Sequence, residues 1–403
     1  MEMGKKYIAL SLILILGGCS TNDLSTEKLD RTKKTKVKHQ TEVAFIEETT
    51  PVENFIEEEV PVEEKIGSML MVGFMGTSAP AGSQICQDIR DYNLGGVILF
   101  DVNPVNHSQP KNISSRPQLA QLTTQLQACS RDGKLLISVD QEGGRVQRLK
   151  RKYGFYGKFP KARDVSKMND IQVRTHYFNM ARELNSVGIN YNLAPVVDLA
   201  INKKNRVIYK LGRSFGSNPE DVVKYSTIFI NAMRENGILS SVKHFPGHGS
   251  SLGDTHKGFV DVTNLWQEKE LEPYRMLTEQ GVMDTVMVAH VFNKRLDDKY
   301  PATLSSKVVK GLLRDRFGFD GVVITDDLQM GAINNKYGLR NTLKLAIGAG
   351  NDLLLFGNQL SVKSMVSTKR LVETVKSLLE SGEVDMADID RSNIRLKVLK
   401  EKI

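Results

Sequence analysis

The chain is poor in the residues that announce the simplest classes of protein. Its 403 residues include three cysteines and one tryptophan. Three cysteines are too few for a disulfide framework or a four-thiolate zinc site. No apolar run reaches the ~20 residues that a membrane-spanning helix needs. Positive charge is not concentrated either: the net charge of +8 is modest for this length and forms no basic domain. That removes the electrostatic footprint expected of a nucleic-acid binder. No glycine fingerprint follows a first strand, so an open dinucleotide-binding sheet lacks its signature. Histidine is also scarce, seven in all, yet three of them fall in the fourteen residues KHFPGHGSSLGDTH from 243 to 256.

What is present begins with a short apolar run. Lys5 and Lys6 precede YIALSLILILGG, which ends at Cys19. A charged start and a short apolar stretch describe an export signal; a small anchor helix is the alternative. The ending Leu16-Gly17-Gly18-Cys19 resembles the bacterial lipoprotein signal. That resemblance implies removal of residues 1–18 and diacylglycerol on the Cys19 sulfur, with several acyl chains giving stable anchoring. It implies a bacterial envelope protein, and Ser20 fits the periplasmic face of the outer membrane in a Gram-negative cell. Residues 19–61 then read as a charged tether, basic at Lys33, Lys34, Lys36 and Lys38 and acidic from Glu47 through Glu59. Such a composition cannot bury enough apolar surface to fold, and would reach ~35–40 Å as a flexible chain. The two remaining cysteines, Cys86 and Cys129, are expected to be separate buried thiols, although an oxidising compartment would permit a disulfide.

From residue 62 to 403 compact apolar runs alternate with amphipathic helices. The runs are Met69–Phe74, Gly96–Phe100, Leu135–Asp140, Ile189–Pro195, Leu239–His244, Thr285–Ala289, Gly321–Asp326 and Asp352–Phe356. Helical spacing fills Gln118–Ser130, Ile171–Val187, Pro219–Asn236, Gln267–Glu279 and Ser305–Phe317. Short, nearly all-apolar strands separated by helices indicate βα units around a parallel sheet. Eight units fit a single α/β domain of the closed (β/α)₈ TIM-barrel class; a doubly wound open sheet is the alternative.

The polar motifs fall at equivalent places in this repeat. DQEGGRVQR begins where the third strand ends, KHFPGHG at the fifth, AHVFN at the sixth and TDDLQM at the seventh. The C-terminal ends of the strands are where such barrels build active sites, so these clusters point to an enzyme. His244 and His248 have the i, i+4 spacing of a helical metal site, but Pro246, Gly247 and Gly249 break a helix there. A metal held on a loop by these histidines with Asp254 and His256 stays open as an alternative, while no metal or organic cofactor is expected. His256 with Asp254 two residues before it makes a proton-transfer pair, because a carboxylate orients an imidazole and raises its basicity. Lys243 and His244 at a strand end, with Arg148, Arg213 and Asp140, supply donors and acceptors for a polyhydroxylated ligand. Lys243 could instead pair with a strand-end aspartate. Of the adjacent Asp326 and Asp327, only one should face the barrel mouth, since neighbouring strand residues alternate. Asp326 is the expected nucleophile, able to attack an anomeric carbon and form a covalent glycosyl intermediate.

Taken in order, DQEGGRVQRL, GRSFGS, KHFPGHG…DTH and ITDDLQMGAI resemble glycoside hydrolase family 3, from about Val62 to the C-terminus. Within it they are similar to the β-N-acetylglucosaminidase (β-N-acetylhexosaminidase) branch that acts on peptidoglycan fragments. The resemblance implies that Asp326 is the nucleophile, His256 the acid/base and Asp254 its partner. It implies that Asp140, Arg148, Arg213, Lys243 and His244 hold an N-acetylglucosamine ring. A histidine acid carries no negative charge into the site, so transfer to phosphate is an alternative to hydrolysis. Two departures from the family pattern stand out. The expected lipidation favours the envelope over intracellular recycling, and DTH continues as KGFVDVT, where Lys257 and Asp261 leave the leaving-group preference open. A C-terminal sandwich domain of the kind found in many family β-glucosidases is not expected. The rival from another class is a non-catalytic wall-binding lipoprotein on the same barrel.

Overall fold

The computed structural model describes residues 60–403. The signal segment, Cys19 and nearly all of the tether lie outside the described residues. Eight parallel strands form the centre: β1 (Leu70–Val72), β2 (Gly96–Ile98), β3 (Leu136–Val139), β4 (Tyr191–Asn192), β5 (Leu239–Phe245), β6 (Thr285–Val288), β7 (Val322–Thr325) and β8 (Leu354–Phe356). Each pairs with the next as far as β7, and β8 pairs with β1 in the register Leu70↔Leu354. A single parallel bridge, Ile324↔Leu353, joins β7 to β8 and makes the ring continuous. Every residue of the eight strands is buried. That explains why the strands read as solid apolar runs: inward side chains fill the barrel and outward ones pack under helices.

Local signals start the helices where the chain must turn back. Asn218 accepts a hydrogen bond from the Glu220 backbone N–H at 3.0 Å, and Pro219 opens the helix Pro219–Arg234. Asn169 and Gln172 form a reciprocal capping box at the start of Asp170–Asn185. Capping of this kind stabilises a helix start by ~1 kcal/mol. Among the described residues, no helix is long and apolar enough to cross a membrane.

Three expectations need correction. Cys86 and Cys129 are joined in a disulfide, with Cα atoms 5.2 Å apart. Their helices, Gln84–Tyr92 and Arg116–Cys129, lie side by side on the barrel wall, a proximity that 43 residues of separation conceal. Closing a loop of that length removes ~4 kcal/mol of unfolded-chain entropy. The fourth strand is a ladder of only Tyr191 and Asn192, because Pro195 has no N–H to continue it. The Asn192 amide also bonds the Gln141 backbone on both sides, at 3.0 Å each. Finally, the helix expected over Ser305–Phe317 is wound as a π-helix over Lys307–Arg316.

Candidate active site

The strands' C-terminal ends surround a cavity of about 410 Å³, within the usual range for a small-molecule site. All eight residues singled out in the sequence as catalytic or sugar-binding line it: Asp140, Arg148, Arg213, Lys243, His244, Asp254, His256 and Asp326.

The floor is a buried charge network. Lys243 Nζ, at the end of β5, donates to Asp140 at 2.9 Å and lies 2.9 Å from Glu142. Arg148 donates to the other oxygen of Asp140 at 3.0 Å. Arg213 grips Glu142 with two bonds of 2.7 and 2.8 Å, the fork-on-fork geometry that only arginine offers. Burial works against each of these charges, but the cations more than offset it and hold Asp140 and Glu142 below the ordinary carboxylate range. By the same balance, the two carboxylates keep the Lys243 ammonium protonated despite its burial. Lys243 therefore does pair with a strand-end aspartate, while still facing the cavity. Among the described residues, Arg148 Nε has no hydrogen-bond partner.

Next to this network, Asp198 at the end of the β4 segment organises the histidine-rich turn. It accepts from His244 Nδ1 at 2.7 Å and from the His248 backbone N–H at 2.7 Å. The Asp198 contact fixes which imidazole nitrogen of His244 faces outward, towards Arg213 at 3.4 Å. His248 Nδ1 is occupied by Ser251 Oγ at 2.6 Å, and burial pushes this imidazole down to about 4, so it is neutral near pH 7. The turn packs closely because Gly249 has no side chain; a Cβ there would sit 1.9 Å from the Leu199 carbonyl oxygen. Beneath it Glu270 accepts from the Ser250 and Gln267 backbone N–H groups, each at 3.2 Å, and burial raises its carboxyl to about 7. The segment has no helix, and His244 and His248 stand with ring centres 5.8 Å apart.

Across the cavity the chain leaves β7 through Asp326 and Asp327. Asp326 accepts the Asp327 backbone N–H at 2.8 Å. Burial opposes its charge, the imidazoles of His290, His244 and His256 favour it, and the balance holds its carboxyl below the usual range. Asp327 turns to the backbone, accepting from Gln329 at 3.0 Å and Gly357 at 3.2 Å. Burial, with the charge of Asp326, raises it to about 6. The two aspartates thus differ in environment as well as direction: one is kept ionised, the other braces the β7 and β8 ends.

The rim carries the remaining pair. His256 Nδ1 lies 3.0 Å from Asp254, which also accepts the His256 backbone N–H at 3.1 Å. This loop is fastened to the segment after Asp327: the Ala332 N–H donates to the Thr255 carbonyl at 3.2 Å. A Cβ at Gly331 would come within 3.1 Å of the His256 carbonyl oxygen, so glycine permits the approach.

Sequence reasoning missed Asp198, Glu142 and His290 as parts of this site. Asp198 ends the run APVVD, the same apolar-run-then-aspartate pattern as ISVD at Asp140, and that pattern was a usable signal. Glu142 lay inside a motif already singled out. His290 likewise lay inside a motif already singled out, AHVFN, but its partners come from distant segments.

Comparison with known proteins agrees with this architecture. The glycosyl hydrolase family 3 N-terminal domain matches residues 61–399. Beta-hexosaminidase A of Pseudoalteromonas piscicida is 31% identical over 82% of this chain, which spans 56% of that protein's length. Beta-hexosaminidase LpqI of Mycobacterium tuberculosis is 36% identical over 66% of this chain and 68% of its own length. The solved structure of a family 3 beta-N-acetylglucosaminidase from Paenibacillus sp. superposes with a TM-score of 0.75 at 34% identity, covering 85% of this chain and 63% of that one. With its eight-stranded barrel and its strand-end carboxylates and histidines in one cavity, this chain belongs to glycosyl hydrolase family 3.

Proposed function

We propose that the protein is a retaining exo-β-N-acetylglucosaminidase that removes terminal β-linked N-acetylglucosamine from peptidoglycan-derived fragments. The observation that carries this reading is one cavity lined by a half-buried Asp326, its carboxyl held below the usual range, and by the His256–Asp254 pair on a separate loop. Asp326 attacks the anomeric carbon and forms a glycosyl ester. His256 protonates the departing oxygen and then takes a proton from the incoming water, which releases the sugar with its configuration retained. Asp254 orients the imidazole through both phases. Asp140, Arg148, Arg213, Lys243 and His244 hold the sugar hydroxyls. Their mutual ion pairs pre-organise them, so little reorganisation is needed on binding. No metal or organic cofactor takes part in this scheme. The disulfide supports an exported protein, since such bonds persist in oxidising compartments. We assign the protein to the bacterial envelope, anchored through lipidated Cys19 and carried on the tether before residue 62.

The test is release of sugar from an aryl N-acetyl-β-glucosaminide and from a peptidoglycan disaccharide, with product configuration followed by NMR. Parallel runs with phosphate separate hydrolysis from phosphorolysis, and runs with a chelator address a metal. Binding of the disaccharide without any cleavage would replace this reading with that of a wall-binding protein.

A further inference from the structure

The AHVFN motif at the end of β6 has no role in the scheme above, although its histidine lies beside the residue assigned as nucleophile. His290 is completely buried. Its Nε2 is 2.8 Å from the Asp327 backbone carbonyl, and its Nδ1 is 2.8 Å from Thr303 Oγ1. A carbonyl oxygen can only accept, so the proton must sit on Nε2 and the ring donates to the Asp326–Asp327 turn. Thr303 Oγ1 also lies 2.6 Å from the Ala289 carbonyl and 3.1 Å from the Val288 carbonyl, where β6 ends. The ring is therefore clamped between the end of β6 and the chain leaving β7. On the same turn, Asp326 N–H donates to the Val288 carbonyl at 3.0 Å, so two cross-strand bonds flank the Asp326–Asp327 peptide, one on the peptide before it and one on the peptide after it.

We infer that His290 is a positioning residue that fixes the approach direction of the Asp326 carboxylate through its Nε2–H bond to the Asp327 carbonyl. The inference rests on the assignment of Asp326 as nucleophile. The peptide between the two aspartates carries the N–H that Asp326 Oδ1 accepts, and the adjoining peptide, from Asp327 to Leu328, carries the carbonyl that His290 holds. Releasing that carbonyl frees Asp327 to rotate and shifts the Asp327 N–H that braces the nucleophile's carboxylate. Misplacing a reacting group by ~1 Å costs about 100-fold in rate without weakening ground-state binding.

The experiment compares native protein with His290→Leu, His290→Gln and Thr303→Val. Leu fills the space without a donor. The Gln amide nitrogen reaches the place of Nε2 and restores the bond. Val removes only the hydroxyl that orients the ring. The first readout is kcat and KM on an activated aryl N-acetyl-β-glucosaminide. The second is the rate at which a 5-fluoro glycosyl fluoride labels the peptide containing Asp326, read by mass spectrometry. The inference expects His290→Leu to lose about 10–100-fold in kcat and in labelling rate at unchanged KM. His290→Gln should recover most of that loss, and Thr303→Val should show a smaller loss of the same kind. A rise in KM with kcat preserved would overturn it, as would equal losses in Leu and Gln. Should His290→Leu fail to fold, the other two variants decide by the same criteria. Failure of the underlying assignment looks different: the trap would then leave Asp326 unlabelled in the native protein.

Discussion

At the floor of the cavity Lys243 is 3% exposed and shares two carboxylates with two arginines. At the rim the His256 side chain is 61% exposed and has one side-chain partner, Asp254. The floor groups are largely desolvated and joined by shared ion pairs, so each depends on the others, and removal of one leaves its partners short of counter-charge. The rim pair is solvated, so its loss leaves nothing uncompensated. In the proposed scheme the tasks divide the same way: rigid electrostatics beneath the sugar ring, and an accessible imidazole where the leaving group departs.

Breaking either side tests that division. Asp326→Ala should abolish turnover of aryl glycosides by roughly 10³-fold or more with circular dichroism unchanged. Lys243→Met should damage folding as well as activity, at a cost of about 3–5 kcal/mol in denaturant unfolding, because Asp140 and Glu142 are left buried beside fewer cations. His256→Ala should behave oppositely. Substrates with poor leaving groups should slow by about 10²–10⁴-fold while activated aryl glycosides suffer much less. Its stability should shift by no more than ~0.5 kcal/mol. Equal losses on both substrate classes would refute the rim assignment. Replacing Cys86 and Cys129 together by serine should lower stability by about 2–4 kcal/mol and leave kcat/KM alone, since the bridge lies on the barrel wall.

The smallest effect concerns pH. Asp140 and Glu142 have depressed values, so their contribution to stability is present above the ordinary carboxylate range and is lost as the pH falls below it. Glu270 runs the other way. Raised by burial to about 7, it keeps a proton in the folded protein that the unfolded chain releases from about 4.5 upward, so stability declines as the pH rises through 7. Thermal melts of Glu270→Gln at pH 5 and pH 8 should therefore differ less than those of the native protein. An unchanged difference would remove Glu270 from the account.

Much of this was legible in the sequence, for a physical reason. A parallel barrel buries its strands on both faces, so runs such as LLISVD and GVVITD stand out, and the residues ending them sit at the active face by construction. Asp140, Lys243, His244 and Asp326 could be placed from those ends alone. The misses share the opposite property. Asp198 terminates a strand interrupted by Pro195, His290 takes its meaning from Thr303 and Asp327, and Cys86 meets Cys129 only because two helices pack side by side. The π-helical winding of Lys307–Arg316 leaves apolar spacing that also suits an α-helix. Contacts between segments distant in sequence have no local signature.

The main-chain bond from Ala332 to Thr255 has one further consequence. It ties the loop bearing His256 to the segment that follows Asp326, and it does so through backbone atoms that every residue type but proline possesses. The distance between His256 and Asp326, the two reacting groups of the proposed scheme, is thus insulated from the identity of the neighbouring side chains. Residues 257–261 can drift, gaining or losing charge and aromatic surface, without resetting that distance. A lineage can explore new leaving groups at this rim while inheriting its chemistry intact.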